Sequence, residues 1–305
     1  MDSIDSIRLN FSSDSLFLLN ICLAIIMFGI ALEIKINDFK ILLKNPRSTL
    51  LGLLSQFILL PLSSFILIWI LQPAPSIALG MILVAACPGG NISNFMSHLS
   101  GGNTALSVGL TSVATFLSLL FTPLNFQIYG SLYPPSAEIL TSIELDIWEV
   151  SKTVFTIILI PLIMGIAVQY KLTKLAKAMA PFFRIGSILI FIGFVLIAFS
   201  KNYQLFLDKI HLVLGLVFVH NLLALSLGYT VASLGRLPQR DRRTLSIETG
   251  IQNSGLGLVL IFAFFDGLGG MAMVAAWWGI WHIITGLSLA GFWSRRPLSS
   301  QKSPA

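Results

Sequence analysis

Between Arg47 and Glu138 the sequence runs for 90 residues without an Asp, Glu, Lys or Arg. A helix needs about 20 apolar residues to cross a bilayer, so this stretch alone has room for three or four crossings. The rest of the chain follows suit. Charged residues make up 10% of it and hydrophobic ones 55%, whereas a soluble globular domain carries roughly 25% charged residues. Such a composition excludes a cytosolic enzyme, a nucleic-acid binder and a disordered chain. The apolar runs are also continuous and far longer than the tilted, alternating strands of about 10 residues that build an outer-membrane barrel. The sequence therefore predicts an all-α, polytopic membrane protein.

Charged and Pro/Gly punctuation divides the chain into nine segments, at 15–34, 48–72, 76–99, 104–130, 147–170, 182–200, 207–235, 239–265 and 270–294. Basic residues collect on the cytoplasmic side of membranes, and this gives the orientation. With the N-terminus outside, four groups fall inside: Lys35, Lys40, Lys44 and Arg47; Lys171, Lys174, Lys177 and Arg184; Arg236, Arg240, Arg242 and Arg243; and Arg295, Arg296 and Lys302. These are 15 of the 19 basic residues. The net charge of +6 is thus a topology signal and not a nucleic-acid footprint. The expectation is a multi-pass protein of the plasma membrane, the inner membrane in a bacterium, with a cytoplasmic C-terminus and residues 295–305 as a tail. The acidic start, with Asp2, Asp5 and Asp14, lacks the basic region of a cleaved signal peptide. Cys22 and Cys87 have no metal-binding spacing and imply no disulfide framework.

Segments three and eight read poorly as continuous helices. The third is interrupted by Pro88-Gly89-Gly90-Asn91, the eighth by Glu248-Thr249-Gly250 followed by Gln252 and Asn253. They lie five segments apart, and an odd offset reverses direction across the membrane. An inverted repeat with two discontinuous helices is a common design of secondary transporters.

Glu248 is the most informative residue. A carboxylate at membrane depth costs at least about 2.5 kcal/mol and needs a partner, yet no Lys or Arg occurs between Glu248 and Arg295. A bound cation would supply the missing charge; a place at the cytoplasmic surface beside Arg240–Arg243 is the plain alternative. Gln252, Ser93, Asn94, Ser107 and Thr111 are neutral oxygen donors that suit a hard cation, although hydroxyls on helices also bond back to their own backbone. Gln56 is a lone amide in an apolar run; His98 falls near the cytoplasmic end of the third segment, and His220-Asn221 and His282 bond a backbone carbonyl or face a polar cavity, a lone helical histidine being more often a packing residue than a ligand. No nucleotide-binding loop, zinc motif or nucleophile elbow is present.

Three separated stretches carry a resemblance. Cys87-Pro88-Gly89-Gly90-Asn91-Ile92-Ser93-Asn94, Gly102-Asn103-Thr104-Ala105-Leu106-Ser107 and Glu248-Thr249-Gly250-Ile251-Gln252-Asn253-Ser254-Gly255-Leu256 resemble the signatures of the bile acid:sodium symporter family. The resemblance implies a panel domain (15–34 and 147–200) and a core domain (48–130 and 207–294) in which the two broken helices cross. It implies one sodium site from Ser93, Asn94, Ser107, Thr111 and Glu248. A second would use Gln56, Glu248 and Gln252 with the carbonyls of Thr249 and Ile251. Asn91, Asn253 and His282 are the implied anion contacts. The chain departs from the family in having nine segments where bacterial members commonly have ten helices, and in Asn91, where related proteins often have Thr.

The resulting expectation is a sodium-coupled symporter of an organic anion, either bile acid-type or a small carboxylate such as pantoate or a 2-oxoacid. It would work by alternating access with two sodium ions per anion and no cofactor. Its partners are sodium, the anion and the lipid bilayer, with no nucleic acid. The alternatives are a substrate-gated channel or a binding-only membrane sensor. An intramembrane hydrolase is disfavoured, because no second embedded acid is placed to pair with Glu248.

Overall fold

A computed structural model describes residues 4–9, 13–34, 40, 42–142 and 147–296. In chain order the helices are α1 (Ser13–Ala31), α2 (Pro46–Leu71), α3 (Pro75–Ala86), α4 (Ile92–Leu99), α5 (Thr104–Leu132), α6 (Pro134–Ser142), α7 (Ile147–Lys171), α8 (Thr173–Lys201), α9 (Tyr203–Lys209), α10 (His211–Leu234), α11 (Gln239–Gly250), α12 (Ser254–Phe264) and α13 (Gly269–Ser294). Among the described residues four helices, α2, α5, α10 and α13, are long and apolar enough, by length and composition, to cross a membrane. α3 and α12 are apolar but short; nearly every residue of α3 and most of α12 are buried. The molecule is all-helical, as a polytopic membrane protein requires, because a helix satisfies its backbone internally where no water is available.

The helix starts follow from local chemistry. α2 and α3 begin with Pro46 and Pro75, whose missing N–H costs nothing in a first turn. α5 begins at Asn103, whose side chain accepts from the Leu106 N–H at 3.2 Å, and α12 at Asn253, which accepts from the Leu256 N–H at 3.0 Å. Inside α2 a π-turn spans Ser55–Leu59. Pro61 lacks the N–H that would reach back to Phe57, and the freed Phe57 carbonyl accepts instead from Asn125 of α5 at 2.9 Å.

The two interruptions meet. Cys87 and Ile251 are extended where α3 and α11 stop, and the two extended stretches pair antiparallel at Gly89 and Gln252. The Gly90 N–H donates to Ile251 O at 2.9 Å, and the Asn253 N–H to Pro88 O at 2.8 Å. Each break thus satisfies the backbone groups that the other leaves open, which buried irregular backbone must do.

Around this crossing α3, α12 and α13 form the densest apolar core, with Met81, Leu258, Met271 and Trp278 all buried. α10 lies along α11 and α5 packs on α3, α4 and α11, while α1 packs on α7 and α8. A Cβ on Gly228 would overlap the Leu245 carbonyl, so this glycine lets the backbones of α10 and α11 touch. Phe155, Ile163, Phe182, Leu189 and Leu222 point outward, an apolar exterior suited to lipid.

Three expectations need correction. The sixth segment begins at Thr173 and not at 182: hydropathy registers entry into the apolar layer, while the helix already runs through the charged turns bearing Lys174 and Lys177. Glu248 does not lie in a break but in the last turn of α11, with the extended residues starting at Ile251. The connections also contain the short helices α6 and α9. Lys35, Asp38, Glu144, Asp146 and Lys302 lie outside the described residues.

Candidate cation and substrate site

The Glu248 carboxylate is buried where α11 meets α4 and α5. Its Oε1 accepts from Ser93 Oγ at 2.6 Å and from Ser107 Oγ. Its Oε2 accepts from Thr111 Oγ1 at 2.9 Å. Asn94 Oδ1 stands behind the hydroxyls, 2.9 Å from Ser107 Oγ and 3.2 Å from Thr111 Oγ1. Ser107 and Thr111 share one face of α5 because they are four residues apart. The first five-residue set read from the sequence is thereby a single cluster of side-chain oxygens. Among the described residues no Lys or Arg pairs with Glu248. Each hydroxyl that donates to the carboxylate keeps lone pairs to offer a cation, and hard cations such as sodium favour oxygen donors of this kind.

The second set also assembles, through amides. Gln56 Nε2 donates to Gln252 Oε1 at 2.8 Å and to Cys87 O at 2.9 Å. Gln252 Nε2 donates to Thr249 O at 2.7 Å. The Ile251 carbonyl is engaged by the Gly90 N–H. A Cβ placed on Gly89 would sit 3.3 Å from Glu248 Oε2, 3.4 Å from Glu248 O and 3.7 Å from Ile251 O. Glycine thus leaves a small oxygen-lined recess beside the carboxylate.

The three anion candidates do not share one wall. A cavity of about 650 Å³ opens between α1 and the α4–α5 pair. Asn91, Asn94, His98 and Thr104 supply its polar lining, with Glu33, against Ile26, Ile30, Phe95, Val108 and Leu287. Asn91 therefore faces it, whereas Asn253 and His282 do not line it. Asn253 is engaged as the cap of α12, and His282 is buried in α13 with Nδ1 unpartnered among the described residues. Asn94 belongs to both places, since it lines the cavity and its Oδ1 lies within hydrogen-bond distance of the Ser107 and Thr111 hydroxyls of the carboxylate cluster.

Several supporting residues escaped the sequence reading. Ser55 Oγ lies 2.9 Å from Thr249 Oγ1; it sits beside Gln56, the one residue in that run that drew notice. Asn221, noted only as part of a His-Asn pair, donates to the Gly250 carbonyl at 2.8 Å and accepts from Thr285 at 2.6 Å, so it pins the end of α11. His220 pairs with Ser64 at 2.6 Å and lies edge-on to Trp278, a packing role.

Residues 20–209 match the family described as the Sodium Bile acid symporter family. The chain belongs to that family. Over 298 residues, 96% of this chain and 89% of the relative, it is 33% identical to a protein of Bacillus subtilis named "Uncharacterized sodium-dependent transporter YocS". Over 277 residues it is 31% identical to the "Probable sodium/metabolite cotransporter BASS1, chloroplastic" of Arabidopsis thaliana, covering 90% of this chain and 66% of that one. It is also 31% identical over 243 residues to the human "Ileal sodium/bile acid cotransporter", covering 78% of this chain and 67% of that one. Family membership makes this a sodium-dependent transporter type of membrane protein, with sodium as its coupling ion.

Proposed function

We propose that the chain is a symporter that moves an organic anion with two sodium ions by alternating access. The observation that carries this reading is the buried Glu248 carboxylate, ringed by Ser93, Ser107 and Thr111 with Asn94 behind them. In this proposal one sodium ion takes that cluster. The other takes the recess at Gly89, with Glu248, Gln56, Gln252 and the carbonyls of Thr249 and Ile251 as its ligands. The anion binds in the cavity against Asn91 and the start of α4, where a half-helix N-terminus favours negative charge; Asn253 and His282, which lie outside this cavity, become contacts only as the core moves past the panel. α1, α7 and α8 form a panel, and the remaining spans a core that moves past it. Nine spans with the N-terminus outside accommodate the basic-residue distribution.

Asn94 supplies the coupling. It touches the cation cluster and the cavity at once, so an ion that draws its Oδ1 inward reshapes the wall on which the anion rests. The cargo is a carboxylate with an apolar body, given the mostly apolar walls; a small metabolite ranks above a bile acid as the natural substrate. The names of the relatives cover both classes.

Charge supports the stoichiometry. Two sodium ions against one carboxylate leave +1, and a monovalent anion makes the loaded core neutral, which limits the cost of moving charge through the bilayer. The empty core returns with the extra charge left inside. Each charge moved is worth about 2.3 kcal/mol per 100 mV. Uptake of a labelled monovalent carboxylate into proteoliposomes should therefore require sodium and rise when a potassium–valinomycin gradient makes the interior negative. Labelled and unlabelled substrate should exchange in counterflow. Sodium-dependent uptake insensitive to the potential would reduce the ratio to one sodium per anion, and absence of counterflow would leave a sensor.

A further inference from the structure

The polar contacts between α11 and its neighbours keep one register over two levels. On α5, Asn103 meets Thr244 and Ser107 meets Glu248, and both pairs are 141 residues apart in sequence. α5 and α11 therefore run side by side in the same direction. On α4, Ser97 meets Thr244 and Ser93 meets Glu248. Four residues back on α4 match four forward on α11, so α4 runs the opposite way. The seam has two levels about 6 Å apart, the rise of four helical residues. The inner level is the carboxylate cluster. The outer level is Ser97, Thr244 and Asn103, and beside it lies Asp241.

Asp241 is buried, 6% exposed. Its Oδ1 accepts from Asn103 Nδ2 at 2.9 Å and its Oδ2 from Ser48 Oγ at 2.6 Å. Both donors are neutral, and all three residues stand at helix starts: Ser48 in the first turn of α2, Asn103 before α5 and Asp241 in the first turn of α11. Helix N-termini favour a carboxylate there. The amide donor is not free to turn away. Asn103 points its Oδ1 at the Leu106 N–H, which commits its amide to Asp241.

The same three helices carry the proposed cation ligands. Gln56 lies eight residues beyond Ser48, Ser107 and Thr111 lie four and eight beyond Asn103, and Glu248 lies seven beyond Asp241. Each spacing returns to nearly the same helix face. We propose that Asp241 is a positioning residue for sodium binding: by clamping the starts of α2, α5 and α11 it fixes the axial register that brings Gln56, Ser107, Thr111 and Glu248 together. The inference rests on the cation sites proposed above. It places the control of sodium affinity two helical turns away from the ions, in a residue that touches none of them.

The test is a titration of purified protein with sodium chloride against potassium chloride at constant ionic strength, read as the rise in unfolding temperature on binding. A wild-type protein without a sodium-specific rise would overturn the cation sites themselves. Given that rise, Asp241→Ala, which loses both contacts, should need about tenfold more sodium for half its effect. Asp241→Asn keeps an oxygen for Asn103 and an amide that the rotatable Ser48 hydroxyl can face, so its midpoint should stay within about twofold of wild type. An Ala variant that titrates like wild type overturns the proposal. So does an Asn variant as impaired as Ala, because the charge and not the clamp would then be what matters. If Asp241→Ala cannot be purified, Ser48→Ala removes the Oδ2 contact alone and should raise the midpoint about threefold; an unchanged midpoint there overturns the proposal equally.

Discussion

Around Glu248 a carboxylate gathers three hydroxyls, and Asn94 carries that cluster to the wall of a cavity. Around Gln252 there is no charge: two amides hold each other and the carbonyls of Cys87 and Thr249, and both side chains are closed off from solvent. The clusters meet at the Gly89–Gln252 bridge, yet their chemistry assigns them different tasks. The first places a negative charge beside the cavity proposed for the anion, so an ion in the proposed site would report to the cargo. The second offers only dipoles and borrows its charge from Glu248 across the recess at Gly89, so an ion there depends on the first cluster's carboxylate. The asymmetry predicts that damage to Glu248 spreads to both sites, whereas damage to the amides stays local.

Replacing the shared carboxylate is the strongest way to break this comparison. Glu248→Ala should abolish sodium-dependent uptake and the sodium-induced rise in unfolding temperature together, since both proposed sites lose their only formal charge. Glu248→Gln keeps the shape and should fail as completely, because a neutral amide leaves two cations uncompensated at membrane depth, a state that costs several kcal/mol. Retention of wild-type sodium dependence in either variant would remove Glu248 from both sites and dissolve the dependence of one cluster on the other.

The amide cluster should answer more mildly. Gln252→Ala removes one ligand and the partner of Gln56, at about 1–3 kcal/mol for a buried group left unpaired. Sodium activation should shift to higher concentration by about tenfold with the maximal uptake rate retained. Gln56→Ala should cost a similar amount, and the double variant should cost little more than either single one, because the two amides act as a unit. A fully additive double variant would show that the pair is incidental to ion binding.

The difference in legibility between the two clusters has a physical source. Ser93, Asn94, Ser107 and Thr111 stand out because polar groups in an uncharged run of 90 residues must face something, and Glu248 because no Lys or Arg follows it before Arg295. The two breaks are visible because Pro88, Gly89, Gly90 and Gly250 cannot sit easily in a continuous helix. What the breaks do is not visible: pairing of Pro88 with Asn253 and of Gly90 with Ile251 uses backbone atoms that every residue has. Helix ends are hidden for a related reason, since Thr173–Lys201 extends past its apolar stretch and hydropathy records the solvent and not the backbone. Asp241 was passed over because it stands among Arg240, Arg242 and Arg243 and reads there as one charge of a surface group. Only the fold brings Ser48, 193 residues away, against it.

The starts of the two half-helices beyond the crossing extend the comparison and give its finest test. α4 begins at Asn91, whose side chain makes no capping bond and faces the cavity. α12 begins at Asn253, whose side chain is spent on the Leu256 N–H. Asn91→Ala should therefore leave thermal stability unchanged and weaken substrate binding by a few fold, the size of one neutral hydrogen bond. Asn253→Ala loses a cap worth about 1 kcal/mol, so the unfolding temperature should fall, and any loss of substrate affinity has two candidate causes. Serine separates them, because its shorter side chain still caps a helix but cannot reach as far as an amide. In Asn253→Ser stability should recover while substrate affinity stays low if Asn253 contacts the anion, as proposed. Should affinity recover along with the cap, Asn253 acts only by starting α12 in the right place, and the anion contacts contract to the α4 side, where Asn91 and Asn94 already line the cavity.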